Sequence, residues 1–332
     1  MPNIPRIKDS ILTRIWEELK HVNYQKLNEK AGMSFTIVTA GSRNEIEDMH
    51  CWLETHDYPL ATKWMKDASI DAGIDHARMR RRLRSVVVDD AADIAQLASE
   101  DHVVLQQAGF CLAPPRLASL LAPHARILHI YEQGAGAVLA EEIIESHPEL
   151  RFALSHSFPA FRNAHAHREI RETAMQNASW VLFTAAPNIV PNPAQLFTAP
   201  AEALSDFVVM TTNEIKLMFE LVALTGRRVQ PMRMLPELGI ILGLAKLAQL
   251  TATNLTGKIP GAGLVIKGGV AYAFTSAIGE ALYIYQIAGV RVGRDFIEAR
   301  AQVWMEEGKQ FAQRLLRRKK ENSTPEDADN GR

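Results

Sequence analysis

The chain has 332 residues, 47% hydrophobic and 23% charged, with a formal net charge of −1. That balance excludes disorder on the scale of the whole chain and gives no global basic charge for nucleic acid. Two cysteines, Cys51 and Cys111, with no CxxC pair, exclude a disulfide framework and a cysteine-rich zinc site. The length has room for two domains of roughly 100–200 residues.

Residues 1–30 predict an N-terminal amphipathic helix: Ile7, Ile11, Ile15 and Leu19 recur at four-residue steps, with Leu12, Trp16 and Leu27 widening the stripe. Arg6, Lys8, Asp9 and Arg14 interrupt the first twenty residues, so a cleaved secretory signal is not expected and a cytoplasmic location is.

An α/β alternation follows over 31–158. Phe35–Thr39 reads as a strand, Ala40-Gly41-Ser42 as its turn, and Asn44–Thr55 as a helix. The segment 57–84, with Arg78, Arg80, Arg81, Arg82 and Arg84, reads as a surface excursion or helix. Val86–Val88 is the next strand, ending at Asp89-Asp90 before a helix through Ala98. His102–Gln106 and Arg126–Tyr131 give two more strands, with helices over Pro114–Leu121 and Ala135–Ser146. Short apolar runs between helices are the signature of buried parallel strands, so a small doubly wound sheet is expected.

From 159 to 320 the pattern is all-helical. Phe161–Asn177 is a charged helix. Thr173–Ala201 has no charged residue, but Pro187, Pro191, Pro193 and Pro200 forbid one straight spanning helix. A helix over Glu202–Thr225 precedes two apolar segments, Leu235–Leu255 and Leu264–Ala288. The break between them carries Gly257, Pro260, Gly261 and Gly263, and a helical hairpin over 235–288 is expected. The last helix, Arg294–Lys320, ends in Arg317-Arg318-Lys319-Lys320. The polar tail 321–332 reads as disordered.

The loop after the first strand is where an α/β domain binds phosphate, on backbone N–H groups at a helix N-terminus. A P-loop also needs GxxxxGK[ST]. Gly41-Ser42-Arg43-Asn44-Glu45-Ile46-Glu47-Asp48 lacks the second glycine and the lysine, and places three carboxylates at the helix start. Gly41, Ser42 and Asp89 are the residues left for residual nucleotide binding. DxxG and NKxD motifs are absent. No catalytic residue, metal ligand or cofactor is expected.

The second half resembles the bacterial family DUF697, related to the YcjF-type inner-membrane proteins. The resemblance is carried by Arg171-Glu172-Thr173-Ala174, Asn177-Ala178, Pro187–Pro191, Thr211–Ile215, Gly257–Gly263 and Val270–Gly279. It spans roughly 150–290. That family often places its helical region behind a GTPase domain of the Era-like type and has no settled biochemical role. The resemblance therefore implies that 31–158 is a degenerate GTPase-like domain.

Other clusters read blandly. His147, His156, His165 and His167 predict surface or capping histidines, because His165 and His167 point to nearly opposite helix faces. Ser155-His156-Ser157 lacks the glycines of a nucleophile elbow, and Glu141-Glu142 reads as a solvated helix face. Gly239 and Gly243 form a GxxxG segment, and Gly269, Ala273 and Ala277 a matching small stripe on the next helix; the two stripes are expected to meet across the hairpin, with Gly279 a further helix-packing glycine. Lys246 and Glu280 interrupt its apolar segments, and a central charge costs about 2.5–3.5 kcal/mol in a bilayer. Lys246 is expected to pair with Glu280 or snorkel, leaving a membrane hairpin and a buried core both open.

The functional expectation is a non-catalytic membrane-associated or scaffolding protein at the cytoplasmic face of the inner membrane. Its decayed α/β domain would contact an unknown protein partner, and nucleic acid is not expected. The alternatives are a GTPase-like enzyme with an unconventional loop around Gly41 and Asp89, and a soluble regulatory homo-oligomer.

Overall fold

A computed structural model describes residues 17, 22–55, 74–87, 109–113, 128–185, 199–231, 234, 239, 243 and 263–322, with backbone only for 109–112, 185, 199–207 and 319–322. Elements in chain order are α1 (Tyr24–Gly32), β1 (Thr36–Gly41), α2 (Arg43–Glu54), α3 (His76–Arg82), β2 (Leu83–Val87), β3 (Gly109–Ala113), β4 (Leu128–Ile130), α4 (Gly136–Ser146), α5 (Arg151–Ser157), a 3-10 turn (Pro159–Phe161), α6 (Arg162–Ala185), α7 (Ala199–Leu224), α8 (Gly263–Ala288) and α9 (Arg294–Asn322).

The first half is α/β. Its four strands run parallel in the order β2-β1-β3-β4, with Ile37 beside Leu83 and Phe110, and Leu112 beside His129. Chain order reverses between β1 and β3, which makes their carboxyl ends a topological switch point, the usual crevice for ligands in such sheets. The core beneath is built by Phe35 and Ile37 of the β1 segment, Ile46, Met49 and Leu53 of α2, and Leu139, Ile143 and Ile144 of α4.

Three expectations are revised. β3 was not expected: Gly109 opens it and Pro114 follows it, so its apolar run reads as a link. β2 starts earlier than expected, at Leu83, and lies half-exposed at the sheet edge instead of being covered on both faces. A single helix through residue 30 is also wrong, because Val22 and Asn23 are not helical and the Asn23 side chain caps α1, accepting from Lys26 N–H at 2.8 Å. The expected strand 102–106, the helices through 98 and over 114–121, Asp89, and Gly257, Pro260 and Gly261 lie outside the described residues.

The second half is a helical bundle centred on α8. Its residues from Gly268 to Ile284, with Gln286 and Ile287, are buried, and α6, α7 and α9 pack around it. Among the described residues, no helix is long and apolar enough to cross a membrane. Residues 264–288 lie at the centre of this bundle, and most of 235–255 lies outside the described residues.

The small-residue stripes do not meet. Gly239 and Gly243 are exposed, and a Cβ at either would touch nothing within 4 Å among the described residues. Gly269 instead faces Gly308 of α9, where an added Cβ would come 2.7 Å from the Gly269 carbonyl oxygen. Gly279 lies against Ile170 of α6, 2.7 Å from a hypothetical Cβ, while Gly263 opens α8 with no such neighbour. Close approach of backbones is thus used between α8 and α9, and between α8 and α6.

Glu280 is also reassigned. Arg300 of α9 donates to both its oxygens, Nε at 2.5 Å and Nη2 at 2.7 Å, and Trp304 Nε1 donates at 3.0 Å. A buried carboxylate is tolerable only when paired and hydrogen-bonded in this way.

No linker separates the halves at 158. α5 gives Phe152 to the helical core and Ala153 and Leu154 to the α/β core. α1 binds the helical half: Asn28 Nδ2 donates to Val229 O at 3.2 Å and Val229 N–H donates back to Asn28 Oδ1 at 3.0 Å, while Tyr24 stands edge-on to Phe219.

Candidate functional site

At the switch point, β1 ends at Gly41 and Ser42 caps α2. The Glu45 carboxylate turns back, accepting the Ser42 backbone N–H at 2.8 Å and the Ser42 hydroxyl at 2.7 Å. This capping box consumes donors that a phosphate would use and places a negative charge in its position. Gly41 and Ser42 are therefore where the sequence puts them, in a loop already filled by an anion of its own. Beneath it, Thr39 and Ser85 hydroxyls and His50 Nε2 form a triangle with sides of 3.1 Å, tying α2 to β1 and β2. Burial holds the His50 ring below its ordinary pKa, with Glu54 opposing.

Of the four histidines expected at the surface, His147 and His165 are buried, and His156 and His167 are half-buried. His129 and His147 are buried; His129 Nδ1–H donates to Glu142 at 2.8 Å and its Nε2 lies 2.9 Å from His147 Nε2. Burial first, and then His129, lowers the His147 pKa. His156 donates from Nδ1 to the Ala223 carbonyl at 2.6 Å, and burial pushes its pKa down to about 4. His165 is fully buried, between Ser155 Oγ at 3.0 Å and Glu169 Oε1 at 3.1 Å. The i,i+4 spacing of His165 and Glu169 permits that pair, but the spacing alone does not distinguish it from an exposed one.

Ser155–His165–Glu169 has the connectivity of a nucleophile, base and orienting acid. Ser155 has no exposed surface, and its hydroxyl also reaches the Phe161 carbonyl at 3.3 Å. A nucleophile must meet its substrate, so the chain is structural, fixing α5 to α6. Burial would raise the Glu169 carboxyl, but the hydrogen bond and charge of His165, with Arg151 and Arg168, hold it below its ordinary value. Glu220 is driven the other way, to about 8, by burial and then by Glu169 and Glu172. Glu214, wholly buried with Oε2 unpartnered, is also raised to about 8 by burial. No group of three or more metal-ligating side chains occurs among the described residues.

The open site is elsewhere. A cleft of about 680 Å³ lies between α4, α6 and α9. Its apolar lining includes Ile144, Met175, Trp304 and Phe311, and its charged lining includes Arg168, Arg171, Arg314 and Arg318. Arg168 is paired with Glu145 and, at 2.8 Å, with Glu172; Arg171 pairs with Glu307 at 2.9 Å. For Arg314 and Arg318 no carboxylate partner occurs among the described residues. Glu141 and Glu142 are exposed, as expected of a solvated helix face, and Glu141 also stands at the rim of this cleft. A second cavity of about 470 Å³ shares Glu172 and Met175 with the first and continues past Ser179 to Trp180 and Phe183. Sequence reasoning missed the site because its walls come from three helices far apart in the chain.

Comparison of the chain with family models, with curated proteins and with solved structures finds no match.

Proposed function

We propose that the chain is a non-catalytic scaffolding protein that attaches to the cytoplasmic face of the inner membrane through one end of its helical bundle. The observation that carries this reading is the composition of that end. α6 and α9 run side by side in one direction: Arg171 meets Glu307, and further along Phe311 packs with Ala174 and Ala178. Trp180 and Phe183 near the end of α6 stay 37% and 56% exposed. Arg314, Arg317 and Arg318 near the end of α9 are exposed beside them, as is Lys267 at the start of α8, whose neighbour Gly268 touches Leu182. Exposed aromatics ringed by basic side chains suit an anionic bilayer surface, where each basic residue gains roughly 1 kcal/mol.

The α/β half serves as a partner-contact domain in this reading. Its parallel sheet and switch point agree with descent from a GTPase-like domain, and the Glu45 capping box with loss of the chemistry. The DUF697 resemblance points the same way, toward bacterial inner-membrane proteins. Fractionation of cells expressing the tagged full chain tests the proposal: sedimentation with membranes and release by high salt are expected. A protein that stays wholly in the supernatant at low salt overturns it.

A further inference from the structure

We infer that the joined groove along α6 and α9 is a binding site for one anionic single-chain amphiphile, a fatty acid or a lysophospholipid. The inference deepens the membrane reading, which it uses only for the direction from which the ligand enters.

The two cavities share Glu172 and Met175 and so adjoin along α6 in one trough. One part is floored by Met175, Trp304 and Phe311 and rimmed by guanidinium groups; the other passes along Ser179 to Trp180 and Phe183. A chain of methylenes matches the apolar strip, and burying it on Met175, Trp180 and Phe183 removes apolar surface from water on both sides. The arginines divide into two sets. Arg168 and Arg171 are committed to Glu145, Glu172 and Glu307. Arg314 and Arg318, four apart on one face of α9, line the same trough with no carboxylate partner among the described residues. Two adjacent guanidinium forks hold a carboxylate or phosphate head by charge-assisted hydrogen bonds.

The volume of the larger cavity lies within the range of small-molecule sites, and its lining of apolar side chains with a few placed charges is of the usual kind. An acidic peptide helix could satisfy the same arginines. The apolar floor of Met175, Trp304 and Phe311, with Trp180 and Phe183 further along α6 at the end proposed to meet the bilayer, favours a narrow acyl chain. Glu141 and the carboxylates already paired with Arg168 and Arg171 restrict the head to the Arg314–Arg318 side of the trough.

The test uses the delipidated full chain, titrated below micelle concentration with oleate, with lysophosphatidylglycerol and with zwitterionic lysophosphatidylcholine, read by calorimetry and tryptophan fluorescence. Saturable binding at one per chain is expected for oleate, for lysophosphatidylglycerol or for both, and whichever binds identifies the head as carboxylate or phosphate. The zwitterionic lipid should bind at least tenfold more weakly. Arg314→Glu with Arg318→Glu should weaken anion binding by tenfold or more with an unchanged circular dichroism spectrum, since both side chains are exposed. Phe183→Asp, at the other part of the trough, should weaken it independently. Absence of saturable binding, equal affinity for the zwitterionic lipid, or indifference to all three substitutions overturns the inference. Displacement of nothing by oleate alongside tight binding of an acidic amphipathic peptide also overturns it, in favour of a peptide site. The membrane reading fails separately, by loss of vesicle binding while oleate still binds.

Discussion

The Glu45 carboxylate holds the Ser42 N–H at 2.8 Å and the Ser42 hydroxyl at 2.7 Å, so the first turn of α2 is closed by the protein's own anion. A phosphate arriving there would have to displace it and would meet Glu47 and Asp48 close by in the chain. We therefore expect no thermal shift of the full chain with GTP, GDP or ATP and magnesium, and no hydrolysis. Glu45→Ala should lower stability by about 1 kcal/mol through loss of the cap without creating turnover. Nucleotide turnover that disappears on changing Asp89→Ala would show that the loop works in an unconventional way.

Glu214 gives the pH dependence. Burial raises its carboxyl to about 8, with one oxygen unpartnered. A carboxyl raised in the folded state contributes its stability in full below the unfolded value, and that contribution is lost as pH rises from about 4.5 through 8. Glu214→Gln keeps the neutral shape, so its melting temperature should exceed wild type at pH 8.5 and match it near pH 5. The gain should be of order 1–3 kcal/mol at the higher pH. His156 acts with the opposite sign: its pKa of about 4 means stability is lost as pH falls from 6.5 toward 4. A Glu214→Gln melting curve that tracks wild type across the whole range would contradict this assignment.

The glycines divide into two groups that melting experiments separate. At Gly308 an added Cβ would stand 2.7 Å from a backbone oxygen of α8, which has no side-chain freedom to yield. Gly308→Ala should cost about 1–3 kcal/mol by overpacking. Gly243 is helical, exposed and without neighbours within 4 Å among the described residues, so Gly243→Ala should be neutral or stabilise by up to about 1 kcal/mol. Equal destabilisation by both would restore the expected pairing of the two stripes.

These residues also show what the sequence makes legible. The short run Thr36–Gly41, buried almost throughout and followed by a helix, is the pattern of a parallel strand covered on both faces, and Pro187 marks the end of α6. A stripe such as Gly269, Ala273 and Ala277 tells which residues share a helix face, but not which helix covers that face; the answer, α9, is set by packing between segments remote in sequence. Glu280 illustrates the same gap, because its nearest candidate partner by pattern was Lys246 and its actual partner is Arg300. Histidine function was hidden for a related reason: only burial separates His165, held by Ser155 and Glu169, from a surface histidine. The cleft along α4, α6 and α9 has no sequence signature at all.

The central claim, attachment through the aromatic and basic end of the bundle, is tested most directly by sedimentation of the purified full chain with vesicles. Phosphatidylglycerol-containing vesicles should carry the protein to the pellet at low salt, and neutral phosphatidylcholine vesicles should not. Because surface charges are screened within about 10 Å at 0.1 M salt, raising the salt should release it. Arg317→Glu with Arg318→Glu should abolish the pelleting, and Trp180→Ser with Phe183→Ser should reduce it severalfold while the melting temperature holds. Full-length protein remaining in the supernatant with anionic vesicles at low salt would contradict the account.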